Sequence, residues 1–327
     1  MTSIGYAAML EQFAPADILA YAERAEANGF RGVLAADHFQ PWTAHQGQAS
    51  FVWNVLSALG QRTHGGLATV TTPTFRMHPA VTAQASATLA ALYPGRHWLG
   101  IGSGEALNEH ITGAYWPEPP ERIDRMFDAI DLIKKLFASG LAQRDVRHDG
   151  PHYRLESTRL WTMPDEAPRI LVATAGPVTA RRAGRTADGL ITEASGVEKA
   201  AMLLQRFGEG AREAGRGRGT FVLRLHLSWA TTDEQAAANA VAEWPNAALR
   251  ATGDIRSPFE LEQLARLVRP EDFEGRMLVS ADPDRHRAHI QSYLDLGFDQ
   301  VYLHNAGRNQ EEWIDVFGRE VLPGLRA

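Results

Sequence analysis

A carboxylate, an imidazole and an indole stand close together in Asp37-His38-Phe-Gln-Pro-Trp42. An imidazole takes a proton from a hydroxyl near neutral pH, and a neighbouring carboxylate stabilises its charged form or fixes its ring. Trp42 can donate one N–H or wall off an apolar pocket. A second carboxylate, Glu105, follows three glycines in Gly100-Ile-Gly102-Ser103-Gly104-Glu105 and precedes Asn108, Glu109 and His110. Glycines there let a ligand approach backbone N–H groups closely. Two titratable groups of different pKa are what paired proton removal and donation require. Plainer roles suit the same residues: Asp37 as the cap of a turn, His38 bonded to backbone, Glu105 serving a helix dipole.

Weaker signals surround this pair. Thr69-Val70-Thr71-Thr72-Pro73-Thr74 is rich in hydroxyls that could bind a heterocycle or a phosphate, although such clusters also occur in ordinary turns. Ala173-Thr-Ala175-Gly176-Pro177 opens a helix with free N–H groups, a ready anion site. Lys199, Arg250 and Arg276 could hold a substrate anion or simply face water. His45, His64, His78, His97 and His110 lack zinc spacing and His64 reads as surface, so no metal is expected.

The elements that must position these residues alternate regularly. Short apolar or β-branched runs at Ser3–Tyr6, Gly32–Ala36, Gly66–Val70, His97–Gly102, Arg169–Thr174, Gly189–Thr192, Phe221–Ser228 and Gln300–His304 read as strands. Between them Pro15–Asn28, Phe51–Gln61, Pro79–Leu92, Ile123–Ala138 and Thr232–Trp244 carry helical periodicity. Eight such units predict the α/β class and a closed (β/α)8 TIM barrel. An open doubly wound sheet would place a glycine fingerprint after its first strand, which here leads into Ala7-Ala-Met-Leu-Glu-Gln-Phe. Two stretches break the rhythm and read as insertions: Leu141–Trp161, with a hairpin at His148-Asp-Gly-Pro-His-Tyr, and Pro245–Glu274, with an extra helix around Pro258–Leu267. The expectation is one domain over residues 1–327, with catalytic groups at the carboxyl ends of the strands.

Bulk properties narrow the class. With 44% hydrophobic and 22% charged residues, the 327-residue chain can bury a large core. A formal charge of −6 leaves no basic footprint for nucleic acid. Without cysteine the chain offers neither a disulfide nor a thiolate, which fits a reducing cytoplasm. The start Met1-Thr-Ser-Ile-Gly-Tyr lacks an export signal and no run of apolar residues is long enough to span a membrane, so neither export nor membrane insertion is expected.

Taken together, Glu11-Gln-Phe-Ala-Pro, Asp37-His-Phe-Gln-Pro-Trp, Thr72-Pro-Thr-Phe-Arg, Leu92-Tyr-Pro-Gly-Arg and Gly102-Ser-Gly-Glu-Ala-Leu-Asn resemble the F420-dependent glucose-6-phosphate dehydrogenase family, one of the bacterial-luciferase-like flavin and deazaflavin barrels. The likeness runs over nearly the whole chain, is strongest in residues 4–130 and weakens after about residue 195. It implies coenzyme F420 as cofactor, a sugar phosphate as substrate and a homodimer. It also implies hydride transfer from the sugar C1 to deazaflavin C5, with His38 and Glu105 as the proton-transfer pair, whose two roles can be exchanged. Trp42 would then steady the developing oxyanion and Glu11 would join the same polar network. Cofactor contacts carried over by motif fall on Asp37, Val70, Thr72, Ser103, Gly104, Asn108, Ala175, Gly176, Val178 and Thr179, with a non-proline cis bond before Val70. The family's phosphate cations survive cleanly only in Arg276; its Ser-Gly-Lys segment reads Ser195-Gly-Val197-Glu-Lys199 here, and Arg250 is the nearest replacement for the remaining lysine. An unphosphorylated alcohol therefore stays open as substrate, FMN as an alternative cofactor, and a non-catalytic cofactor-binding barrel as a third reading.

Overall fold

The structure is a computed structural model that describes residues 2–193, 196–250 and 252–326; Ser195 of the Ser195-Gly-Val197 segment lies outside them. Eleven strands occur in the described residues: β1 Ser3–Ala8, β2 Gly32–Ala36, β3 Gly66–Thr71, β4 His97–Ile101, β5 Val146–Asp149, β6 Arg154–Thr158, β7 Arg169–Ala173, β8 Gly189–Glu193, β9 Thr220–Ser228, β10 Leu278–Val279 and β11 Gln300–Asn305. Eight of them, β1, β2, β3, β4, β7, β8, β9 and β11, pair in parallel in that order, and β11 pairs back onto β1. The sheet therefore closes into the expected barrel, with helices between successive strands. All eight expected barrel strands are present, with β1 running two residues past Tyr6 to Ala8.

Period-two alternation along the strands builds two apolar layers. Ala7, Leu34, Ala68, Trp98, Leu171, Ile191, Val222 and Tyr302 fill the barrel interior. Tyr6, Val33, Leu67, Leu99, Val172 and Leu223 pack outward beneath the helices. Gly5 makes room for the interior aromatics: a Cβ there would lie 2.4 Å from the Tyr302 ring, which packs edge-on against Trp98.

Helix starts follow local chemistry. Pro15, Pro79, Pro119, Pro177, Pro258 and Pro283 each stand in the first turn of a helix, where the missing N–H costs nothing. The helix expected over Ile123–Ala138 is longer, Pro119–Ala142, because it starts on that proline and tolerates Gly140. Gly140 is there for packing, since a Cβ would meet Met163 at 2.4 Å.

Both interruptions of the rhythm are distinct structures. Strands β5 and β6 form the expected antiparallel hairpin. Buried Asp128 pins it, accepting from the backbone N–H groups of His152 and Tyr153 and lying 2.9 Å from His148 Nε2. The second stretch contains the helix Pro258–Ala265 flanked by short 3₁₀ turns. The expected cis bond before Val70 is corrected: the described residues contain no cis peptide bond. Val70 pairs in register with Ala36 and Gly100 on its two sides, and an extended trans backbone satisfies that ladder at no isomerisation cost.

Candidate active site

The carboxyl ends of β2, β3, β4, β7 and β8, with Arg224 of β9, surround a cavity of about 260 Å³. Asp37, His38, Trp42, Val70, Thr72, Ser103, Gly104, Glu105, Asn108 and Ala175 all line it. Residues spread from position 37 to position 175 thus meet because each follows the end of a parallel strand or closes it.

The loop after β2 is fixed from several directions. Asp37 N–H donates to Val70 O at 2.8 Å, extending the sheet ladder by one residue. Its Oδ2 accepts from Thr71 Oγ1 at 2.7 Å and lies 3.3 Å from the Arg76 guanidinium. Arg76 also donates to the Asp37 carbonyl at 2.9 Å and pairs with Glu109 at 3.1 Å. One buried cation therefore ties the ends of β2 and β4 together. Asn108 Oδ1 clamps the next two residues, accepting from Phe39 N at 2.8 Å and Gln40 N at 3.1 Å.

His38 is held at Nδ1, which lies 3.3 Å from Asn108 Nδ2 and 3.4 Å from Glu11 Oε1. The two neighbours favour opposite tautomers. Attraction to the Glu11 carboxylate favours Nδ1–H and a bare Nε2, whereas the Asn108 amide, a donor at this nitrogen, favours the reverse. A bare Nε2 is the form that a general base needs. Glu11 is fully buried beside the imidazole. Trp42 packs against the ring with centroids 5.2 Å apart.

Glu105 occupies the position before the short helix Ala106–Glu109, but its side chain makes no capping bond. Its carboxyl borders the cavity instead. Loss of solvation raises its pKa, His38 and Arg224 act against that, and Glu11 and Glu109 add to it. The cavity thus joins an imidazole held by a carboxylate to a carboxyl group inclined to keep its proton, the division that acid–base chemistry uses.

The remaining surfaces suit a flat heterocycle with an anionic tail. Asp37 Oδ1 is buried and without a partner among the described residues, an acceptor awaiting a donor. Gly104 has φ +87°, and a Cβ there would come within 2.8 Å of Thr72 Cγ2, so the backbone approaches the cavity as only glycine allows. Thr174 Oγ1 accepts from Gly176 N at 3.0 Å and shapes the turn into the helix Pro177–Thr186, whose first N–H groups receive no side-chain cap. Gly176, Val178 and Thr179 belong to that first turn and lie outside the cavity lining.

Lys199, Arg250 and Arg276 do not line the cavity. Arg276 NH1 faces the carbonyls of Ala247 and Leu249 at 3.4 Å each, so it braces the turn after Trp244. Arg250 is exposed and Lys199 lies in the first turn of the helix Val197–Glu213. His64 is exposed, as expected. No cluster of potential metal ligands occurs among the described residues, and none of their helices is long and apolar enough to cross a membrane.

Sequence reasoning missed Arg76, Glu193 and Arg224. Glu193 and Arg224 line the cavity, and the Arg224 guanidinium touches the Glu193 carboxylate. Arg224 and His226 alternate within the apolar run of β9, which places both on the inward face with Val222. Polar residues on the interior face of a barrel strand are a signal the sequence did contain.

The chain matches the luciferase-like monooxygenase family model over residues 2–300. It is 38% identical over 331 residues to an F420-dependent glucose-6-phosphate dehydrogenase of Microbacterium testaceum, covering 98% of this chain and 97% of that one. It is 39% identical to the protein of the same name from Intrasporangium calvum, covering 100% and 99%. Among solved structures it is similar to an F420-dependent secondary alcohol dehydrogenase in complex with an F420–acetone adduct, with TM-score 0.94, 30% identity and complete coverage of both chains. The tetrahydromethanopterin reductase of Methanopyrus kandleri, at TM-score 0.77 and 22% identity over 99% of each chain, shares the fold.

Proposed function

The chain belongs to the F420-dependent glucose-6-phosphate dehydrogenase family of luciferase-like barrels, and from that premise we propose that it oxidises a CH–OH group of a glucose-6-phosphate-like sugar phosphate with coenzyme F420 as acceptor. The observation that carries this reading is His38, backed by Glu11 and facing one cavity with Glu105. When bound, the deazaflavin supplies a carbon that accepts hydride.

The chain's own residues supply position and proton management. His38 Nε2 takes the proton of the substrate hydroxyl, and Glu11 stabilises the imidazolium that results. Glu105, its pKa raised by desolvation, holds a proton across the cavity for donation. Trp42 closes the cavity beside His38 and keeps the reacting oxygen in a poorly solvated place. Asp37, Val70, Thr72, Ser103, Gly104, Asn108 and Ala175 would hold the heterocycle, and the helix start at Gly176, Val178 and Thr179 would take its phosphate. Lys199 and Arg276, on the elements beyond the cavity, would meet the sugar phosphate, with exposed Arg250 only at its margin. On the same reading residues 1–327 form one barrel domain, with insertions at about 141–161 and 245–274, that works in the cytoplasm as a homodimer.

The test is anaerobic reduction of purified coenzyme F420, followed as loss of deazaflavin absorbance, with glucose 6-phosphate, fructose 6-phosphate, glucose and simple alcohols compared. Loss with the sugar phosphates is expected. Bound FMN in the purified protein, or no loss with any substrate despite bound F420, would replace the proposal with the flavin or the non-catalytic reading.

A further inference from the structure

Behind Glu193 and Arg224, which line the cavity, lies a buried polar cluster that the acid–base pair does not use. It begins at Gln12, whose Nε2 donates to Ala306 O at 3.0 Å and so turns Oε1 toward His304 Nε2, 3.2 Å away. An amide oxygen only accepts, so His304 Nε2 carries the hydrogen. His304 Nδ1 is then bare and accepts from His226 Nδ1–H at 2.7 Å. That leaves His226 Nε2 bare as well, 3.8 Å from Glu193 Oε1. Burial pushes both imidazoles well below their usual range, so neither carries a charge that would turn this approach into an ion pair. Trp244 packs on both rings, with centroids 5.4 Å from His226 and 4.4 Å from His304, and holds the chain of bonds in register.

Glu193 Oε1 thus lies between a bare imidazole nitrogen and the Arg224 guanidinium that touches it. Arg224, largely buried, presents its guanidinium to the cavity, and Glu193 is its only ion-pair partner among the described residues. Glu193 itself is half exposed at the cavity wall. A guanidinium that donates, next to a carboxylate that accepts, is matched by groups that do both. Hydroxyls do both, and adjacent hydroxyls on a ring satisfy donor and acceptors together.

We infer that Arg224 and Glu193, with His226 packed behind them, form a subsite that reads the ring hydroxyls of a polyhydroxylated substrate, and so determine specificity for sugars over simple alcohols. The inference rests on the proposed dehydrogenase reading for its orientation toward His38, but the subsite reads hydroxyls whether or not the substrate carries a phosphate. Its cation cannot serve as a free phosphate clamp, because Glu193 already neutralises it and Glu11 and Glu105 lie in the same field. Recognition of this kind discriminates strongly, because a substrate lacking the hydroxyls leaves buried polar groups unpaired.

The experiment uses Arg224→Met, Glu193→Gln and the double variant, with KM and kcat measured for glucose 6-phosphate, glucose and 2-propanol. KM for both sugars should rise about tenfold or more in each single variant, the loss typical of a hydrogen bond to a charged group. KM for 2-propanol should stay within about twofold, since it makes none of these bonds. Sugar KM values that do not move, or equal losses with all three compounds, would overturn the inference in favour of a merely structural pair. Calorimetric titration of the cofactor-free proteins with glucose 6-phosphate and glucose gives a second readout. Sugar binding to the parent protein that weakens in the variants upholds the subsite even if F420 is never reduced, an outcome that would count against the proposed function alone. Absence of sugar binding in the parent protein would remove the subsite.

Discussion

The two walls of the cavity are built on different plans. The wall from β1 to β4 carries Glu11, Asp37, His38, Trp42, Glu105 and Asn108 on loops just past the strand ends, where short contiguous motifs hold them. The facing side, from β8 to β11, lines the cavity with Glu193 and Arg224 and backs them with His226 and His304, all on the strands themselves and drawn from three motif-poor segments. Loop-borne groups beyond the sheet can be arranged around a reacting atom, whereas strand-borne groups sit one layer deeper in fixed register. The first arrangement suits chemistry and the second suits recognition of shape and hydrogen-bonding pattern.

Substitutions can separate these roles. The largest effect should come from His38→Ala, with kcat falling by about 10²–10⁴ while deazaflavin affinity, followed by fluorescence titration, is retained. Turnover within tenfold of the parent would remove the chemistry from the first wall. Arg76→Met should come next, because it strands the buried carboxylates of Asp37 and Glu109; denaturant unfolding should show a loss of about 3–5 kcal/mol. A loss below about 1 kcal/mol would mean that the ends of β2 and β4 are not held by this cation.

Glu105→Gln probes the pH dependence. The Glu105 carboxyl is raised in the folded state, so it binds its proton more tightly folded than unfolded. Its favourable contribution is present in full below the unfolded-state value and is lost as pH rises through the folded-state value. The glutamine variant should therefore lose less stability than the parent as pH is raised from acid toward neutrality, read from melting temperatures across that range; parallel curves would contradict it. Asn108→Ala should cost about 0.5–1.5 kcal/mol, because the part-buried N–H groups of Phe39 and Gln40 lose their acceptor, and unchanged stability would show that water replaces it. The smallest effect is expected for Arg250→Ala, an exposed side chain outside the cavity lining, whose KM for glucose 6-phosphate should barely change. A large rise in KM would bring the second insertion into the substrate site and blur the contrast between the walls.

What could be read in advance follows the same division. The barrel was legible because period-two strands and proline-started helices are local patterns, and eight of them in alternation leave few ways to close. Asp37, His38 and Glu105 were legible because the ends of strands in such a barrel share one rim. Arg76 escaped because its importance lies in joining Asp37 to Glu109, a relation set by how the loops after β3 and β4 pack. Lys199, Arg250 and Arg276 looked alike as cations in the sequence, yet packing engages Arg276 with backbone carbonyls and leaves Arg250 in water.

By itself, then, the sequence determined the order of strands and helices, the family, and the residues of the first wall proposed for acid–base work, all of which depend on neighbours a few residues away. Tertiary structure alone decided the second wall. Gln12, Glu193, Arg224, His226 and His304 come from three strands and the loop after β1, and only barrel closure between β11 and β1 brings Gln12 to His304 and gives each imidazole nitrogen a definite role as donor or acceptor.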